Sequence, residues 1–152
     1  MNDNFFMDSN IPIYTFDSRF PNKQKKAREL VATALSTRNG VISFQVVQEF
    51  LNVATRKFET NLTPQEAEKY LDQVLAPLCK IFASMELYIQ AIKIMDRWQY
   101  SFYDSLIIAA ALQANCNILY SEDLQHGQII QTLTIVNPFL ESSTTVSDKK
   151  SM

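Results

Sequence analysis

Residues 102–123, which read FYDSLIIAAALQANCNILYSED, decide the fold of this chain. Apolar side chains recur at intervals of three and four between Phe102 and Ala114, which predicts a helix with a buried face and with Asp104 in its first turn. Residues 117–120 predict a short buried strand, and Asp123 follows its end. Ligands of open α/β sheets bind outside the carboxyl ends of the strands, so we expect Asp104 and Asp123 to lie at such a site.

Acidic residues follow two further predicted strands. The apolar run Phe5–Met7 predicts a strand near the beginning of the chain, and Asp8 follows it directly. Residues 41–44 predict another strand, which leads into a helix predicted for residues 45–54 with Glu49 near its first turn. Asp8, Glu49 and Asp123 therefore follow predicted strands from separate stretches of the chain, and Asp104 is a fourth carboxylate at the start of a helix.

Strands alternate with helices along the whole chain, which predicts an α/β fold with three α/β/α layers around a mostly parallel central sheet. At this length residues 1–140 are expected to form one domain, and residues 141–152, which lack core side chains, a flexible tail. Asn39 and Gly40 predict a left-handed cap at the end of a helix. The remaining predictions are helices at 23–37, 64–75 and 85–98, the last two beginning after Thr63 and Ser84, and strands at 79–83 and 133–136.

The composition excludes several classes of protein. The 14 basic and 16 acidic residues provide no global positive field, so a polyanionic substrate must be held by local charge or by a metal ion. With only Gly40 and Gly127, the chain has neither a phosphate-binding glycine loop nor a dinucleotide fingerprint. Cys79 and Cys116 predict buried thiols in a reducing compartment. No secretory signal or membrane span is evident, so a cytoplasmic location is expected.

Four motifs together resemble the PIN-domain family of nucleases. They are Met7–Asn10, Ser43 with Glu49, Asp104–Ala111, and Tyr120–Leu124, and they stand in the order and spacing of that family. The compact length resembles the VapC-like toxin ribonucleases of type II toxin–antitoxin pairs. The resemblance extends over roughly the whole chain up to Phe139.

The resemblance implies a metal site. Asp8, Glu49, Asp104 and Asp123 match the four acids that hold a divalent cation in the family, Mg²⁺ or Mn²⁺. Four gathered carboxylates repel one another, and hard cations of this kind prefer oxygen ligands, so the chemistry is consistent with the match. The resemblance further implies that Asn10 and Ser121 support the site and that Glu122 is an extra or substitute ligand.

The same resemblance implies a function. We expect a metal-dependent endoribonuclease that hydrolyses RNA phosphodiester bonds with metal-activated water and leaves the phosphate on the downstream fragment. A small cognate antitoxin protein and a homodimer are implied as well. The identity of the RNA is left open.

Other interpretations of the same residues remain open. Asp104 and Glu49 are also explained as acids at helix starts, and Asp8 or Asp123 as caps of the following turn. His126, the only histidine, is expected to be a solvent-facing loop residue. The alternative function is a catalytically silent PIN-like module that binds RNA or protein, whereas a phosphatase with an aspartate nucleophile is disfavoured because Asn10 stands where its second acid is needed.

Overall fold

The computed structural model describes residues 3–140 of the chain. Its centre is a six-stranded sheet with the strand order β3-β2-β1-β4-β6-β5, in which all neighbours are parallel except the antiparallel pair β5 and β6. The predicted α/β fold with a mostly parallel sheet is therefore confirmed. The strands are β1 (Phe5–Met7), β2 (Gly40–Ser43), β3 (Cys79–Ile81), β4 (Ile118–Tyr120), β5 (Ile129–Ile130) and β6 (Leu133–Val136).

Helices flank this sheet and connect its parallel strands. The segment from Pro64 to Leu78 is helical throughout but changes to a wider π-helical turn over Leu71–Leu75, so it continues beyond the predicted end at Leu75. Thr63 begins it with the predicted capping box, since its side chain accepts from the Glu66 backbone while the Glu66 carboxylate accepts from the Thr63 backbone. The helices are α1 (Asn10–Tyr14), α2 (Pro21–Thr37), α3 (Phe44–Arg56), α4 (Pro64–Tyr70), α5 (Ala76–Leu78), α6 (Met85–Trp98) and α7 (Phe102–Gln113).

The core lies between the central strands and the helices that cover them. Phe6, Ile42, Leu119 and Ile135, from four adjacent strands, are almost completely buried. Helix α7 is buried around its whole circumference over residues 105–111, not on one face only as its spacing suggested. An apolar helix without a polar side belongs in the interior, where it fixes Asp104 at its first turn relative to the sheet.

The end of α2 differs from the prediction. The left-handed residue that ends the helix is Arg38, with φ 63°, and Gly40 already belongs to β2. Gly40 is needed for close packing instead, because a Cβ atom there would lie 2.1 Å from the Cβ atom of Ala34. The prediction of a cap at Asn39 and Gly40 was therefore wrong, although the glycine does have a steric role.

Strand β5 was missed by the sequence analysis. Ile129 and Ile130 pair with Thr134 and Leu133 through a tight reversal in which Gln131 has φ 56°. Two residues are too few for a recognisable alternation, and the turn lacks the Asn-Gly or Asp-Gly signal of most short hairpins.

The helices and the C-terminal residues bear on two expectations from the sequence, the absence of a membrane span and the presence of a tail. Within residues 3–140 no helix has the length and apolar character needed to cross a bilayer. The tail predicted for residues 141–152 lies outside the described residues.

Candidate metal centre at the carboxyl ends of β1 and β4

The carboxyl ends of three adjacent parallel strands meet at one edge of the sheet. Met7, at the end of β1, is in register with Tyr120, at the end of β4, and the Asp8 backbone N–H donates to the Tyr120 carbonyl at 3.0 Å. On the other side of β1, the strand β2 ends at Ser43, and α3 follows without a loop. This edge therefore receives the residues that follow each strand, as expected for a parallel sheet.

Asp8 is the most buried acid of the site, with only 6% of its surface exposed. One carboxylate oxygen accepts the Ser9 backbone N–H at 2.7 Å, and the other accepts the Ser121 hydroxyl at 2.8 Å. Burial raises the pKa of Asp8 from 3.8 to about 6 despite these two hydrogen bonds, and the nearby charges of Glu49 and Asp123 raise it further. Asp8, Glu49 and Asp123 therefore share one region of negative potential.

Asp123 is held beside Asp8 by two polar side chains. Its backbone N–H donates to Ser121 Oγ at 3.2 Å, so the Ser121 hydroxyl connects the two aspartates. Its carboxylate accepts from Asn10 Nδ2 at 3.2 Å, whereas the buried Oδ1 atom of Asn10 has no hydrogen-bond partner. Both side chains that the sequence analysis expected to support the site therefore contact its acids.

Glu49 and Asp104 are connected through a residue that the sequence analysis missed, Gln45. Its Nε2 atom lies 3.3 Å from Glu49 Oε2 and 3.2 Å from the carbonyl oxygen of Tyr103, the residue before Asp104. Gln45 precedes Glu49 by four residues on α3, so the helix itself brings the two side chains together. That spacing was visible in the sequence, but the contact with Tyr103, 58 positions away, was not.

The alternative interpretation of these two acids as helix-start residues applies to only one of them. Asp104 lies in the first turn of α7, whose capping residue Ser101 accepts its backbone N–H at 3.2 Å. Glu49 lies in the second turn of α3, because the helix begins at Phe44 and has no acidic residue in its first turn. A helix dipole therefore does not account for Glu49.

Glu122 points to a different set of partners. Its carboxylate accepts the Tyr14 hydroxyl at 2.6 Å and forms an ion pair with Lys23 Nζ at 2.6 Å. The Lys23 ammonium also lies over the rings of Tyr14, Phe20 and Phe139, at 5.1, 5.3 and 5.8 Å from their centroids. Lys23 is therefore held at this edge of the sheet by contacts within its own chain.

His126 is exposed, as expected, but it has one defined contact. Its Nδ1 atom accepts the Asn137 backbone N–H at 3.0 Å, which fixes the loop before β5 to the end of β6. Tyr103, beside Asp104, is the most exposed aromatic residue at the site.

The donor set at this edge is suited to a hard divalent cation. Carboxylate and amide oxygens are the ligands that Mg²⁺ and Mn²⁺ prefer, and the unpartnered Asn10 Oδ1 supplies a neutral oxygen beside Asp123. Within residues 3–140 none of the four acids forms an ion pair with a lysine or arginine. In the same range no three His, Cys, Asp or Glu side chains converge closely enough to ligate one ion as they stand. The residues fit such an ion by type, and their side chains would have to move before three of them could ligate it together.

Residues 5–129 match the family model of the PIN domain, so the chain belongs to the PIN-domain family. Nucleases that depend on divalent metals are typical of this family. No curated protein matches the chain.

Solved structures with a similar fold include a bacterial toxin–antitoxin complex and a bacterial toxin. A toxin–antitoxin complex from Klebsiella pneumoniae has 18% identity and a TM-score of 0.63, covering 89% of this chain and 98% of that one. VapC20 of Mycobacterium tuberculosis, a toxin that cleaves the sarcin-ricin loop, has 16% identity and a TM-score of 0.55, covering 79% and 90%. FitAcB from Neisseria gonorrhoeae has 15% identity and a TM-score of 0.57, covering 89% and 98%. At these identities the similarity establishes the fold.

Proposed function

We propose that this protein is a metal-dependent endoribonuclease and the toxin of a type II toxin–antitoxin pair. The observation that carries the proposal is the position of Asp8. It is buried beside Glu49 and Asp123, its pKa is raised to about 6, and no cationic side chain among the described residues pairs with it. A buried acid among like charges is costly unless a cation joins it.

Each residue has a separate role in this proposal. Asp8, Glu49, Asp104 and Asp123 would hold Mg²⁺ or Mn²⁺, which supplies a water of lowered pKa and neutralises the charge that develops on the phosphate. The Ser121 hydroxyl orients Asp8 and fixes the backbone of Asp123, while Asn10 orients the Asp123 carboxylate. Gln45 fixes Glu49 relative to the start of α7.

Cleavage of structured RNA by the purified protein tests the activity. We expect cleavage with Mg²⁺ or Mn²⁺, none with EDTA, and a large loss of cleavage rate in an Asp8→Asn or Asp104→Asn variant. Asp72→Asn, which changes an exposed acid on the Leu71–Leu75 turn, is the matched control and should cut like the wild type. Variants of Asp8 and Asp104 that cut as fast as the control would disprove the assigned site.

The proposed domain organisation and partners follow from the family. Residues 1–140 act as the nuclease domain, residues 141–152 as a dispensable tail, and the active form is a homodimer. A small antitoxin protein holds the activity in check. Cytoplasmic expression of this chain alone should arrest the growth of a bacterial host. Coexpression with the product of a short reading frame directly upstream should restore growth, and a 1–140 truncation should remain toxic.

A second candidate is a PIN-like module that binds RNA or protein without cutting it. The observation in its favour is that no three acids of residues 3–140 converge on one ligating point as they stand. Calorimetric titration separates the two candidates. Absence of Mg²⁺ and Mn²⁺ binding near neutral pH, with RNA binding retained, would favour the silent module.

A further inference from the structure

Tyr103 presents an exposed aromatic ring beside one of the four acids of the candidate metal centre. The residue is 66% exposed, and the next residue of α7 is Asp104. The residues that follow, 105–111, are buried. Helix α7 therefore enters the interior directly after the site and leaves the Tyr103 ring outside it, next to the acid.

The other aromatic residues that lead into α7 are occupied within the chain. Trp98 and Phe102 are partly buried and pack against the core. The Tyr100 hydroxyl donates to the side-chain oxygen of Gln128. Tyr103 is the member of this group that keeps most of its surface in solvent. Its ring is therefore the one that a ligand at the site can reach.

The Tyr103 ring is held in place although it is exposed. Its centroid lies 5.6 Å from that of Phe102 at an interplanar angle of 72°, which is an edge-to-face contact. Its backbone carbonyl accepts from Gln45 Nε2 at 3.2 Å, and the Ser101 side chain caps the same turn. A side chain that is already ordered loses little conformational entropy when a ligand covers its free face.

The position of the ring beside the metal centre defines the chemistry of that ligand. A ligand that reaches both features brings an anionic group to the cation and a flat surface to the ring. A nucleotide has both, because its phosphate carries the charge and its base has a π-face. In an RNA duplex the bases are stacked on one another, whereas unpaired bases are free to stack on aromatic side chains. The site therefore fits an unpaired nucleotide.

We infer that Tyr103 stacks on an unpaired base that flanks the phosphate at the metal centre, and that it makes the site selective for single-stranded or looped RNA. Consecutive Cα atoms are about 3.8 Å apart, so a base on Tyr103 belongs to a nucleotide next to the phosphate near Asp104. The inference rests on the proposed function for the class of substrate, and it adds the unpaired base and the residue that recognises it.

Binding of a fluorescein-labelled oligoadenylate of about 12 nucleotides tests the inference without cleavage. Anisotropy is measured in Ca²⁺, which takes the same oxygen ligands as Mg²⁺, and a denaturing gel verifies that the RNA is intact. Tyr103→Ala removes the stacking surface and should raise the Kd about tenfold. Tyr103→Phe keeps the ring and should stay within about twofold of the wild type. Ile129→Ala, at a residue 61% exposed on the edge strand β5, is the control and should bind like the wild type.

Two further measurements separate stacking from a structural effect. The fluorescence of Tyr103→Trp should fall on addition of the oligoadenylate, because the base covers the new indole, and it should fall further than that of the wild type, whose single tryptophan is Trp98. A duplex of oligoadenylate and oligouridylate should bind the wild type and Tyr103→Ala equally, because its bases are already stacked. Circular dichroism shows whether each variant is folded.

Four results would overturn the inference. They are a wild type that does not bind the single strand, single-strand binding that Tyr103→Ala leaves unchanged, a duplex that loses as much affinity as the single strand in that variant, and fluorescence of Tyr103→Trp that responds no more than the wild type. Binding and cleavage are measured separately. A nuclease whose RNA binding does not depend on Tyr103 therefore contradicts only this inference, and a protein that stacks the base but cuts no RNA contradicts only the proposed function.

Discussion

Asp8 and Glu122 lie at the same edge of the sheet, but the charged groups around their carboxylates have opposite signs. Glu122 receives an ammonium from Lys23 and a hydroxyl from Tyr14, so the chain itself neutralises it. Asp8 receives a backbone N–H and the Ser121 hydroxyl, and its charged neighbours are the acids Glu49 and Asp123. The first arrangement is complete without a ligand, whereas the second requires a cation from solution.

The largest expected effect is that of Asp8→Asn on RNA cleavage. The substitution keeps the shape of the side chain, and its amide can still pair with Ser9 and Ser121, but it removes the central charge. We expect a loss of roughly a thousandfold in cleavage rate at saturating Mg²⁺. The cleavage rate of Glu122→Gln, measured under the same conditions, is the comparison, and this variant should retain most of the activity. Equal losses in the two variants would remove the distinction between the acids.

The same substitution should have the opposite effect on stability without metal. Because the pKa of Asp8 is about 6 in the folded protein and near 3.8 when unfolded, the folded state binds the proton more tightly. This acid therefore lowers the free energy of unfolding as the pH rises from about 4 to about 6, by on the order of 2–3 kcal/mol, and adds no further change above that range.

Urea unfolding in EDTA between pH 4 and pH 8 measures this effect as the difference in unfolding free energy between Asp8→Asn and the wild type. The titrations of groups far from Asp8 cancel in that difference. The variant should gain relative stability as the pH rises and reach a plateau near neutral pH. A difference that does not depend on pH would mean that Asp8 carries no buried charge.

Ser121→Ala should have an intermediate effect. It removes the hydroxyl that donates to Asp8 and accepts the Asp123 backbone N–H. Residues that orient metal ligands are typically worth 10- to 100-fold in affinity or activity, so we expect Mn²⁺ affinity to fall by about tenfold. Ser9→Ala is the control, because Asp8 contacts the backbone and not the hydroxyl of Ser9. A loss in the control as large as in Ser121→Ala would contradict the role of the hydroxyl.

The smallest effect is expected from the pair of Lys23 and Glu122. Both side chains are partly exposed to water, so a double-mutant cycle with Lys23→Met and Glu122→Gln should give a coupling energy of about 1 kcal/mol in unfolding free energy. Metal affinity should remain within about twofold of the wild type in all three variants, because the pair takes no part in holding the ion. Loss of Mn²⁺ binding in Glu122→Gln would instead make Glu122 a ligand.

The sequence predicted those parts of the fold that depend on local chemistry. The apolar runs predicted the central strands, and the capping box at Thr63 predicted the start of its helix. The acids that follow parallel strands were predicted to lie at one edge of the sheet, because parallel strands run in the same direction. The left-handed Arg38 was missed because an adjacent glycine offered the more usual cap, and Gly40 instead allows Ala34 to approach. Strand β5 was too short for any periodic signal.

The sequence predicted which acids lie at the site, but it did not predict which of them are neutralised by a cationic side chain of the same chain. Glu122 and Asp123 are neighbours in the chain. Glu122 is neutralised by Lys23, which is 99 residues away in the sequence, whereas Asp123 has no such partner among the described residues. Gln45 likewise depends on Tyr103, which reaches it through the packing of α7. Contacts between distant residues of this kind leave no pattern in a single sequence.

Calorimetric titration of Mn²⁺ into the RNA-free protein shows directly whether Asp8 and Asp123 hold a divalent cation. We expect saturable Mn²⁺ binding near neutral pH that is lost in Asp8→Asn and in Asp123→Asn and is retained in Glu122→Gln. Absence of binding in the wild type, or binding that Asp8→Asn leaves unchanged, would contradict this expectation.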